Sequence, residues 1–118
     1  MAADIKGSYI MDNAKGILLL GERTEQGSLA SITKELLGTG RKLAESLREE
    51  VSLLLIGENL EQALQEAIFL GADKILVVEN PALAVYHPDT YRSIACQICR
   101  ECSPSIFLLG QTDMGRDL

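Results

Sequence analysis

Four short, almost wholly apolar runs constrain this chain more than anything else in it. They are Ile17-Leu18-Leu19-Leu20, Val51-Ser52-Leu53-Leu54-Leu55-Ile56, Ile75-Leu76-Val77-Val78 and Ile106-Phe107-Leu108-Leu109. Each stops at a turn signal: Gly21, Gly57, Glu79-Asn80-Pro81 and Gly110. Runs this short and this continuous suit strands covered on both faces, as in a parallel sheet.

Helical patterns fill the intervals. The first runs from Leu29 to Glu49, with Leu29, Ile32, Leu36, Leu43 and Leu47 at helical spacing and Gly40 in the missing turn. Gly38 and Gly40 each cost about 1 kcal/mol against Ala in a helix, so they mark a close approach to the sheet or to a partner. The second pattern starts at Asn59, a capping residue, with Gln62 placed to reach back. Leu60, Leu64, Ala67 and Ile68 form its stripe, and Gly71 is placed to end it in the left-handed conformation. The third spans Asp89 to Cys102, with Tyr91, Ile94, Ala95, Ile98, Cys99 and Cys102 on one side, and Ser103-Pro104 stops it. Strand and helix alternate throughout. The expected fold is therefore α/β, a Rossmann-like parallel sheet of four strands with three helices on its two faces and right-handed crossovers.

At 118 residues the chain makes one domain at most, and a chain of this size buries roughly two-thirds of its unfolded surface. Residues 1–15 read as a polar, flexible lead-in and residues 16–118 as the domain. The final residues, Gly110-Gln111-Thr112-Asp113-Met114-Gly115-Arg116-Asp117-Leu118, read as a strand-to-helix turn that stops where a helix should begin. The expectation is the front part of a larger α/β protein, incomplete at its C-terminal end. An open apolar edge at the last strand would then favour self-association.

The net charge of −6 opposes a phosphate backbone, which argues against nucleic acid as a partner. The longest apolar run falls short of the roughly 20 residues a membrane span needs, and residues 1–15 hold no signal-peptide core. A cytoplasmic protein with its three cysteines as free thiols is expected.

Cys96, Cys99 and Cys102 make C-x-x-C-x-x-C, the opening of a ferredoxin-type cluster motif. That motif needs a fourth cysteine followed by proline, and position 106 is Ile. The helical stripe favours small core residues instead. Gly110-x-x-x-x-Gly115 has P-loop glycine spacing but continues with Arg116-Asp117, where Lys and Ser or Thr are required. An aspartate there opposes a phosphate, although helix amides at a strand end still suit a small anion. Gly38-x-Gly40 lacks the third glycine of a dinucleotide fingerprint, since position 43 is Leu. His87 has no partner set for a triad or metal site, and Glu22, Glu25, Glu58, Glu61 and Glu79 read as solvated. No catalytic, cofactor-binding or metal-ligating residue is assigned, and the chain is read as not an enzyme.

Taken in order, several segments resemble the electron transfer flavoprotein alpha subunit. Leu36-Leu37-Gly38 with Arg41-Lys42-Leu43-Ala44 is similar to its first helix. Gly71-Ala72-Asp73-Lys74-Ile75 with Val77-Val78 is similar to its "GADKV-x-VV" passage. Pro81-Ala82-Leu83-Ala84 and Tyr91 are similar to the loop and helix that follow. Pro104-x-Ile106 and Gly110-x-Thr112-x-x-Gly115-Arg116-Asp117-Leu118 are similar to its "P-x-I … G-x-T-x-x-G-R-D-L" segment. The resemblance covers residues 16–118. It implies the N-terminal domain of an alpha subunit, with an adenine nucleotide alpha-hydrolase-like sheet that packs on the beta subunit beneath the flavin domain. It implies FAD in the parent protein, held by a C-terminal domain absent from this sequence, and no cofactor in this chain. It implies partner dehydrogenases and electron transfer to downstream acceptors. The beta subunit of such proteins holds AMP or a second flavin through a different motif; the pattern from Gly110 to Asp117 is the alpha one, for which no nucleotide is expected. The rival is a stand-alone nucleotide-binding module of universal-stress-protein type, whose "G-x-x-G-x(9)-G-[ST]" signature is missing.

Overall fold

The computed structural model describes residues 15–110. Strands β1 (Ile17–Leu20), β2 (Val51–Gly57), β3 (Lys74–Glu79) and β4 (Ile106–Leu108) alternate with helices α1 (Ser31–Leu47), α2 (Glu61–Phe69) and α3 (Pro88–Cys102). The sheet is parallel with order β3-β2-β1-β4. This is the expected α/β fold. The residues of the final strand-to-helix turn after Gly110 lie outside the described part, as do residues 1–14 of the lead-in.

Strand alternation splits the apolar residues into two cores. Ile17, Leu19, Val51, Leu53 and Leu55 meet Leu37 and Ala44 of α1 and Ala63 and Ala67 of α2 on one face. Leu18, Leu20, Leu54 and Ile56 meet Leu83 and, from α3, Tyr91 and Ala95 on the other. Cover on both faces holds for the central strands β1 and β2. At the edges it thins: β4 is half-buried, and Val77 of β3 is 41% exposed.

Three helical stripes sit differently from the sequence expectation. In α1 the buried residues are Thr33, Leu37, Gly40 and Ala44, with Leu36 and Leu43 flanking them and Leu47 exposed. Size is decisive at the closest point: a Cβ on Gly40 would already touch Leu19 Cδ2 at 3.4 Å and Val51 Cγ1 at 3.7 Å, so there is no space for a longer side chain. Gly38 faces open space and plays no such part. In α2 the small residues Ala63 and Ala67 face the sheet and Ile68 turns outward. In α3 Cys99 packs against the second core, while Cys96 and Cys102 are exposed. A 3-10 turn at Pro81–Leu83, capped by the Asn80 side chain, was not expected; Asn80 Oδ1 accepts from Ala82 N–H at 2.9 Å.

Helix ends follow the same mixed pattern. Gly71 (φ +93°) closes α2 as expected, with Ala72 N–H donating to Ala67 O and Gly71 N–H to Ile68 O. That pair of bonds is the Schellman arrangement. Asn59 does not cap α2: it is left-handed (φ +56°), and the capping position falls on Leu60, whose side chain makes no cap bond.

Gly40→Leu should cost about 1–3 kcal/mol by overpacking. Gly38→Ala should stabilise by up to about 1 kcal/mol. Urea unfolding of the two variants measures both, and equal effects would contradict this helix orientation.

Candidate functional site

In open α/β sheets, ligands sit outside the carboxyl ends of the strands, where strand order reverses. Here the chain runs β1, β2, β3 outward and then places β4 on the other side of β1. Gly21 after β1 and Gly110 after β4 flank that point. The first turn of α1 occupies the space between them. Thr33 is fully buried; its Oγ1 accepts from Glu22 N–H at 2.8 Å and donates to Glu22 O at 3.2 Å. Ala30 N–H also donates to Glu22 O. A Cβ on Gly110 would stand 2.8 Å from Ile32 Cγ1, so the crevice has no slack there.

The β1 and β2 ends meet across a wider cleft. The segment after β1 folds into a small ribbon, bridged at Arg23 and Leu29 and turned at Gly27 (φ +94°). Arg23 Nη1 donates to Glu58 O at 2.9 Å and to Asn59 O at 3.4 Å, tying the ribbon to the β2–α2 loop. The Arg23 guanidinium lies where a Cβ on Gly57 would be, and Gly57 has φ +153°. The backbone thus favours glycine at position 57, and a side chain there would push the Arg23 guanidinium off the β2–α2 loop. The cleft, about 520 Å³, is lined by Arg23, Thr24, Glu25, Glu58, Asn59 and Gln62 among others. Its walls are polar and acidic, a poor lining for a phosphate.

The start of α2 is where this fold family of sheets offers amides to an anion. Here the Glu79 carboxylate, from the end of β3, accepts Leu60 N–H at 3.0 Å. Glu79 is thus not simply solvated, as the sequence suggested; it takes the amide of the capping residue Leu60 itself, not a first-turn amide of the kind an Asn59 cap would take. Glu66 is a second carboxylate with a structural task, accepting Leu29 N–H at 2.6 Å. The sequence signals are an acid at the end of a strand for Glu79 and an acid within a helix for Glu66, both too common to be read.

On the opposite face Tyr91 donates its hydroxyl to Leu83 O at 2.8 Å, lies 3.4 Å from Ile56 O, and meets Tyr86 edge to face at 4.8 Å. Burial pushes its phenol pKa up, against a smaller opposing pull from Arg23. His87 is exposed at the start of α3 and makes no side-chain cap. The cysteines are free; burial, then Cys96 and Cys102, push the Cys99 thiol up. Among the described residues no group of three His, Cys, Asp or Glu side chains converges to hold a metal. No described helix is long and apolar enough to cross a membrane.

The model of the electron transfer flavoprotein domain matches residues 17–118. The chain belongs to the electron transfer flavoprotein family. It is 39% identical over 104 residues to the "Electron transfer flavoprotein subunit alpha" of Megasphaera elsdenii, covering 88% of this chain and 30% of that protein. The alpha subunit of Clostridium acetobutylicum is 36% identical over 104 residues, 88% of this chain and 31% of that protein. The "Acryloyl-CoA reductase electron transfer subunit beta" of Anaerotignum propionicum is 36% identical over 93 residues, 79% of this chain and 25% of that protein. The chain spans less than a third of the length of these relatives.

Glu79→Ala should lower stability by about 1 kcal/mol, the usual cost of a lost helix cap, and hydrogen exchange should speed at Leu60. Unchanged exchange there would show that Glu79 does not cap α2. Tyr91 gives a pH test. Its folded pKa lies above the ordinary phenol value of 10.0, so the neutral phenol's contribution is complete below that value. It is lost as pH climbs through the unfolded pKa toward the folded one. Tyr91→Phe should remove this alkaline component from the stability–pH curve.

Proposed function

We propose that this chain is a scaffold domain of an electron transfer flavoprotein alpha subunit. It packs on the beta subunit and supports the FAD domain during electron transfer between flavin dehydrogenases and downstream acceptors. The observation that carries this reading is the family match over nearly the whole chain together with relatives named as subunits. Two features of the fold support it. The amide at the start of α2 is engaged by Glu79, which favours a domain that holds no cofactor of its own. The end of α2 leaves Phe69 89% and Ile68 56% exposed, apolar surface of the kind that assembly covers. The chain acts as part of a cytoplasmic electron carrier and performs no catalysis of its own. Without its partners, β4 is the surface for self-association: among the described residues it pairs only with β1, and an unpaired edge recruits another chain.

Co-expression with the beta subunit and with the full-length alpha subunit tests this. The chain alone should purify colourless, and with the beta subunit it should elute as a one-to-one complex. Stoichiometric flavin on the chain alone would overturn the scaffold reading. A rise in melting temperature with ATP would favour the stand-alone nucleotide-binding module instead.

A further inference from the structure

Cys96, Cys99 and Cys102 lie along α3 outside everything described above. Successive members are three residues apart, so each is turned by about 60° and raised by about 4.5 Å from the last. Side chains three apart on a helix have Cβ atoms about 5–6 Å from one another. A disulfide needs about 3.5–4.5 Å between Cβ atoms, so an intact α3 holds neighbouring thiols too far apart to bond to each other. A cation between them changes the requirement. With metal–sulfur bonds of about the zinc–thiolate length, 2.3 Å each, two thiolates set in line need about 4.6 Å between sulfurs, a wider spacing than a disulfide and nearer to that of i, i+3 side chains. Cys96 and Cys102 stand about 9 Å apart along the axis, so the third thiol cannot join the same ion. The lack of any converging three-residue group among the described residues agrees with this. Tetrahedral zinc and iron–sulfur clusters need more ligands than are offered; a soft ion content with two thiolates does not.

The geometry points to a two-thiolate site for univalent copper on α3, in which Cys99 bridges the metal to Cys96 or Cys102. This goes beyond the family reading, does not rest on it, and departs from the sequence expectation that no residue here binds a metal. Thiolate sulfur is the ligand type that selects this ion. Cys99 is half-buried against the sheet and anchored there, whereas Cys96 and Cys102 are exposed and open a path for the ion. Each of the two thiols gives its proton to solvent as its sulfur–metal bond forms; the metal enters already univalent, so no electron moves.

The test is an anaerobic titration of the reduced chain with univalent copper against a chromogenic copper chelator. Wild type should hold one ion per chain that the chelator does not take, with X-ray absorption showing two sulfur neighbours. Cys96→Ser combined with Cys102→Ser alters only exposed positions, leaves the core contact of Cys99 in place, and should lose the ion while keeping the wild-type melting curve. The single variants show which neighbour completes the pair. Surrender of the ion by wild type, its retention by the double variant, or nitrogen donors in the absorption spectrum would each overturn the site.

Discussion

The fold depends on two adjacent strands that have no polar face. Leu19, Leu53, Leu54 and Leu55 are completely buried, and Leu18 and Leu20 nearly so. Burying one such side chain contributes about 1.5–3 kcal/mol, and in β1 and β2 that gain is available only if helices lie on both faces. The crossovers, the split into two cores and the parallel order all follow from covering this pair. β3 and β4 extend the sheet on either side but share little of the burden.

Such a sheet leaves loose backbone groups at every strand end, and here carboxylates take up many of them. At the amino end of the sheet, Glu49 accepts Gly16 N–H at 2.6 Å and Asp73 accepts Val51 N–H at 2.8 Å. At the carboxyl end Glu66 and Glu79 take Leu29 and Leu60. The acidic composition, read from sequence as a surface that repels phosphate, is therefore partly architectural. Asp73 also pairs with Arg41 of α1 at 3.0 Å, linking the helix to the β3 entry.

The fold was legible because apolar runs and helical intervals are local patterns. The rotation of α1 was not, because a glycine at the closest contact carries no hydrophobic signal and Thr33 looks like a surface residue until its hydroxyl meets Glu22. Gly71 was readable since only its own φ matters. Asn59 was misread since the capping position falls on Leu60, whose amide is taken by Glu79, nineteen residues further on. The cysteines divide likewise: periodicity placed Cys99 against the core correctly, but Cys102, at the last residue of α3, is exposed.

The Glu79–Leu60 contact bears on how this domain responds to its surroundings. Where a ligand's phosphate satisfies a helix end, folding is linked to ligand concentration, and stability rises and falls with supply. A carboxylate carried by the chain itself is always present at the same effective strength. The Leu60 amide is satisfied as the chain folds and needs no ligand to complete it.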